Sequence, residues 1–113
     1  MEFYKPRKLT FKAWNKEARL LMRLDSISCV KGELLKKDHI LLQFTGLLDK
    51  QLDELYEMDV VLLDSVKYVI TWSNDNSGWS YVILADNGTP HALTPEVARK
   101  MVRLCNYFES AGL

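Results

Sequence analysis

The 113-residue chain is poor in the residues that carry most recognisable chemistry. It has two cysteines, Cys29 and Cys105, far apart and in no CxxC pair. That spacing excludes the usual structural zinc signatures and predicts two buried or half-buried free thiols in a reducing compartment. The two histidines, His39 and His91, stand in no HxH or HxxxH spacing, and no local signature pairs either with a cysteine nucleophile. Ser77-Gly78 lacks the preceding glycine of a nucleophile elbow, and neither a phosphate loop nor a GxGxxG is present. No catalytic, cofactor-binding or metal-ligating set is assigned, no cofactor is expected, and the expectation is a non-enzymatic protein. Residues 1–12 are charged throughout and have no apolar segment of the signal-peptide kind. No apolar run approaches the ~20 residues of a membrane-spanning helix. These absences predict a cytoplasmic protein that makes no membrane contact.

What is present is ordinary globular material. Hydrophobic residues make up 48% of the chain and charged residues 27%, which suits one domain over residues 1–113. A chain of this length buries a core without disulfides. Net charge is zero, but the signs are segregated. Residues 1–37 carry ten basic side chains and four acids, residues 38–64 one lysine and seven acids, and residues 65–113 four of each. Either oppositely charged strands face each other in one sheet, or one face is electrostatically marked for a partner.

The pattern is β-rich. "KLTFKAW" (8–14) alternates apolar and polar residues with period two, and "LLMRLDSISCV" (20–30) follows a polar turn, so the two read as a hairpin. Further strands are expected at 39–44, 59–64, 67–72 and 79–85, separated by turn formers such as "SNDNSG" (73–78) and "DNGTP" (86–90). "TPEVARKMVRLCNYFES" (94–110) offers Thr94 as N-cap and Pro95 at the first helical position. Val97, Met101, Leu104, Cys105 and Phe108 then follow at helical spacing, and Gly112 suits a helix stop. The expected fold is mainly β (α+β): a small bent sheet or half-open barrel of five to seven short antiparallel strands with one C-terminal helix, about 94–110.

The informative stretch is "LLQFTGLLDKQLDELYEMDVV" (41–61). Asp49, Asp53 and Glu57 would make a carboxylate stripe on a helix, but the Asp/Asn spacing and central glycine of an EF-hand loop are missing, so a solvated acidic face outranks a metal site. The order Phe44-Thr45-Gly46-Leu47, Asp49-Lys50, Glu54-Leu55-Tyr56-Glu57, Asp59-Val60-Val61 resembles the central signature of the YopX family of phage and prophage proteins. "LTFKAWNKEARLLM" and "YVITWSNDNSGWSYV" resemble its flanking strands, so the resemblance covers roughly residues 8–83. It implies a strand-to-strand connection and a phage context, and no assigned activity. This chain has Leu52 and Met58 where the family usually has glycine. A connection remodelled into a short helix over 50–57, using the leucine spacing, therefore stands beside a plain loop.

Trp14, Trp72, Trp79, Tyr56, Tyr68 and Tyr81 could stack single-stranded nucleic acid. The alternative, that Trp14 and Trp72 anchor the core while Trp79 is exposed, fits their places at strand ends better. The candidate interaction surface is Lys12, Lys16, Arg19, Asp53, Glu54, Tyr56, Glu57 and Trp79. The expected partners are further copies of the chain, or a host or phage protein. Nucleic acid held by the basic N-terminal strands is the second choice.

Overall fold

The computed structural model describes residues 2–85 and 88–110. Asp86 and Asn87 of the expected 86–90 loop, and Gly112, lie outside the described residues. In chain order the elements are β1 (Phe11–Asn15), β2 (Leu20–Arg23), β3 (Ser28–Val30), β4 (Glu33–Leu35), β5 (His39–Leu48), β6 (Glu54–Tyr56), β7 (Asp59–Leu63), β8 (Val66–Ser73), β9 (Gly78–Ile83), β10 (His91–Ala92), α1 (Pro95–Ala98), β11 (Val102–Asn106) and α2 (Tyr107–Ser110). They form a four-stranded sheet in the order β2-β1-β5-β6, a five-stranded sheet in the order β10-β9-β8-β7-β11, and a separate β3-β4 ribbon. The mainly-β expectation holds, with a curled half-barrel arrangement. The strands are more numerous than the five to seven expected: the second expected strand breaks after Arg23 and its remainder pairs with β4 as an arm, and β6, β10 and β11 fall outside the expected strands.

Two tight turns match their residues. Asp64 and Ser65 both take positive φ (49° and 68°), the left-handed pair that joins strongly twisted strands in two residues. Gly46 (φ 87°) marks the irregularity between Phe44 and Leu48 where β5 bends towards β6. β7 is buried on both faces: Val60 and Val61 are 3% and 0% exposed. That is why its sequence is an unbroken apolar run rather than an alternation. Leu55, Val61, Ile70, Leu93, Ala98 and Met101 form the main core cluster. Each larger side chain fully buried there contributes roughly 1.5–3 kcal/mol.

The helix expected over 94–110 does not exist as one element. Its start is correct: Thr94 Oγ1 accepts from the Val97 N–H at 3.2 Å, and Pro95 opens the turn. The turn ends at Ala98, tightened by Lys100 N–H to Val97 O (3.0 Å) and Met101 N–H to Ala98 O (3.0 Å). The chain then extends as β11 along the free edge of β7. Pairing that edge satisfies backbone groups that a helix would leave open, and this overrides helix propensity. Met101 is buried in the core, whereas Leu104 is 44% exposed.

The connection at 49–58 is not helical either. Leu52 and Met58 both keep φ near +67°, the glycine-like conformation of a tight turn. The side chains tolerate it because the backbone is pinned: Leu52 N–H donates to Asp49 O (3.1 Å) and Met58 N–H to Ile70 O (2.7 Å). Such left-handed positions cost a non-glycine residue roughly 1–2 kcal/mol.

Candidate functional site

The acids of the 41–61 stretch have separate jobs. Asp49 is buried, and its Oδ1 accepts the Gln51 and Asp53 N–H groups at 2.8 and 2.9 Å, holding the turn closed. Its Oδ2 accepts the Arg103 N–H at 2.8 Å, tying the turn to β11. Asp59 is fully buried. Its Oδ2 accepts the Tyr56 N–H at 2.8 Å and Arg103 Nε–H at 2.9 Å, and its Oδ1 accepts Asn106 Nδ2–H at 3.1 Å. Asn106 also donates to Glu57 O, and Arg103 reaches Glu109 at 3.9 Å. Thr45 Oγ1–H donates to Leu55 O at 2.8 Å. Thr45, Asp49 and Asp59 of the signature thus staple β5, β6, β7 and β11 together.

Burial pushes the Asp59 carboxyl upward, and the Arg103 hydrogen bond and charge pull it back. Burial also opposes the Arg103 charge, but Asp59 more than offsets it and holds the guanidinium above its ordinary range. Burial prevails and leaves the Asp59 pKa raised, while three donors, one of them a guanidinium, converge on its two oxygens and favour the ionised form.

Above this buried pair lies an open cleft of about 340 Å³ lined by Lys12, Arg23, Leu52, Asp53, Glu54 and Arg103. Lys12 Nζ sits 4.4 Å from the centre of the Tyr56 ring. Burial, and then the charge of Arg103, lower the Lys12 pKa. Glu54 is held by Lys8 at 2.7 Å. Lys8, just before β1, and Glu54 in β6 thus bring the two oppositely charged segments into contact. Glu57 is half-buried, with its pKa raised by burial.

Of the candidate surface residues, Lys12, Asp53, Glu54 and the underlying Tyr56 come together here. Lys16 and Arg19 lie in the β1–β2 turn, and Glu57 borders Gln43 at the β6–β7 turn. Trp79 is half-buried against the core of the other sheet. Trp72, not Trp79, is the exposed tryptophan at 45%; the two rings meet edge to face at 5.3 Å. Trp14 is buried and stacks on Phe108. The six aromatic residues form no continuous platform. Tyr68 and Tyr81 pair on the β8–β9 face, while Tyr56 packs on Phe44 in the other sheet. Cys29, expected to be covered, is exposed on the β3-β4 ribbon, and Cys105 is half-buried. Arg23 and Arg103 are the cleft residues that sequence reasoning missed. Arg103 lay hidden inside the helix-like spacing of 94–110. Among the described residues no three His, Cys, Asp or Glu side chains are placed to hold a metal ion, and no helix is long and apolar enough to cross a membrane.

The fold is a half-barrel β domain in which the Asp59–Arg103 pair links β7 to β11 within one sheet, while Asp59 to the Tyr56 N–H and Asp49 to the Arg103 N–H tie that sheet to the other. Residues 1–102 match the YopX protein family, and the chain belongs to it. The crystal structure of protein EF1440 from Enterococcus faecalis is similar, with a TM-score of 0.68 over 95% of this chain and 98% of that one, at 14% identity. Comparison with curated proteins finds no match.

Proposed function

We propose that this YopX-family chain is a non-enzymatic phage or prophage accessory protein that acts through protein–protein contact, first of all by self-association. The observation that carries the reading is the β3-β4 ribbon. All six of its residues are exposed, among them Val30 (52%), Leu34 (40%) and Leu35 (51%), and it pairs with neither main sheet. An isolated two-stranded ribbon is marginal in water and gains stability when its face or edge is covered. The exposed free thiol of Cys29 suits a reducing compartment, so the proposed location is the cytoplasm of a host bacterium. Light scattering at about 100 µM, which populates any dimer of micromolar Kd, is expected to show an oligomer that Val30→Asp or Leu35→Asp dissociates. A strict monomer that binds an oligonucleotide with a steep salt slope would replace this reading with nucleic-acid binding through the basic strands.

A further inference from the structure

The cleft above Arg103 contains a charge arrangement that folding alone does not favour. The β1–β2 register places Lys12 directly opposite Arg23, a like-charge cross-strand pair. Such pairs destabilise a sheet. The guanidinium of Arg103 lines the same cleft. Its charge is already met by Asp59 at 2.9 Å, and that of Lys8 by Glu54 at 2.7 Å. Lys12 and Arg23 have no carboxylate within 4.0 Å among the described residues. Lys12 is also half-buried above the Tyr56 ring, so water screens its charge poorly. An entering oxyanion would relieve the like-charge contact and restore the solvation that Lys12 has lost.

We propose that this cleft receives the carboxylate of an acidic side chain from a protein partner, held between Lys12 and Arg23. The space of about 340 Å³ takes one such group, and its walls are charged rather than apolar. The acids of the cleft argue against a polyanion. Asp53 and Glu54 line it beside the cations and would repel successive phosphates of a nucleic acid, whereas a lone carboxylate with a basic neighbour meets Lys12 and Arg23 and leaves the exposed Asp53 to that neighbour. The protein source of the carboxylate rests on the protein-contact reading above; the oxyanion chemistry of the cleft does not.

The test is a titration of the full chain, followed by amide NMR shifts, with N-acetylglutamate amide, its uncharged glutamine counterpart, inorganic phosphate and an oligothymidylate, all at one ionic strength. The glutamate probe should move the amides of Lys12, Arg23 and Arg103, and the glutamine probe should not. Arg23→Gln should weaken the glutamate probe about tenfold, the share of one charge-assisted contact. The same variant should melt no lower than the parent, because it removes the like-charge pair. Lys12→Met provides a second variant with the same expected loss. Shifts that lie elsewhere, that are absent, or that are unchanged in both variants overturn the proposal. Phosphate or oligothymidylate binding tighter at the same amides overturns the carboxylate assignment. A monomer indifferent to Val30→Asp would sink self-association without touching these titrations, and a silent glutamate probe would sink the cleft while leaving self-association standing.

Discussion

Asp59→Ala is the perturbation with the largest expected consequence. The side chain is fully buried, and it serves the Tyr56 N–H, Arg103 Nε–H and Asn106 Nδ2–H. Removing it leaves a half-buried guanidinium with only the distant Glu109 at 3.9 Å. Breaking a buried ion pair by deleting one partner costs about 3–5 kcal/mol. The orphaned Tyr56 N–H belongs to the same estimate, since the network acts as a unit. A domain of this size has about 5–15 kcal/mol in total. At roughly 4 °C per kcal/mol, the melting temperature should fall by about 12–20 °C. Urea denaturation followed by circular dichroism reads the loss directly. Asp59→Leu combined with Arg103→Met should cost less than the two single changes together, because the double variant buries no unpaired charge. If Asp59→Ala costs under about 1 kcal/mol, the network is not what joins the sheets and the reasoning fails.

Leu52→Gly should raise stability by up to about 1 kcal/mol, since Leu52 is 75% exposed at φ 67° and a glycine there removes left-handed strain at no packing cost; a clear loss in chemical denaturation would refute this. Leu104→Asp should leave the melting temperature nearly unchanged, while Met101→Ala should cost about 2–5 kcal/mol, because only Met101 lies in the core; similar losses for both would restore the single-helix reading. Burial raises the Glu57 pKa from 4.5, so its ionisation costs stability at pH values above the raised pKa, and that cost vanishes below 4.5. Glu57→Gln should therefore melt slightly higher at neutral pH, by less than about 1 kcal/mol for a half-exposed group, with the advantage fading as pH falls towards 4.5. An advantage that does not vary with pH would contradict the linkage.

Local chemistry was readable wherever neighbours in sequence are also neighbours in space. Thr94-Pro95 starts its turn as the capping rule requires, and the alternation and turn formers yield β7, β8 and β9 close to their observed bounds and the start of β5, which runs four residues further than expected. The order Thr45, Asp49, Asp59 marked the stapled connection through its family pattern, and the sign segregation foreshadowed a junction at which Lys8 meets Glu54. The residues from Arg99 onwards were not readable. Val97, Met101, Leu104, Cys105 and Phe108 satisfy a helical period, yet β7 presents a free edge whose N–H and C=O groups only a strand can pair, and that competition is invisible without β7 in place. The same holds for Arg103 and Arg23. One becomes the partner of Asp59 across a sequence separation of 44 residues, and the other becomes a cleft wall because the β1–β2 register sets it opposite Lys12. The sequence by itself determined a β-rich chain with an acidic strand-to-strand connection, because those signals are local periodicities and turns; that Asp49 and Asp59 are buried and pin it was not legible. Only the tertiary structure decided which charges are buried as pairs and which face an open cleft, because burial and pairing depend on strands that meet from distant parts of the chain.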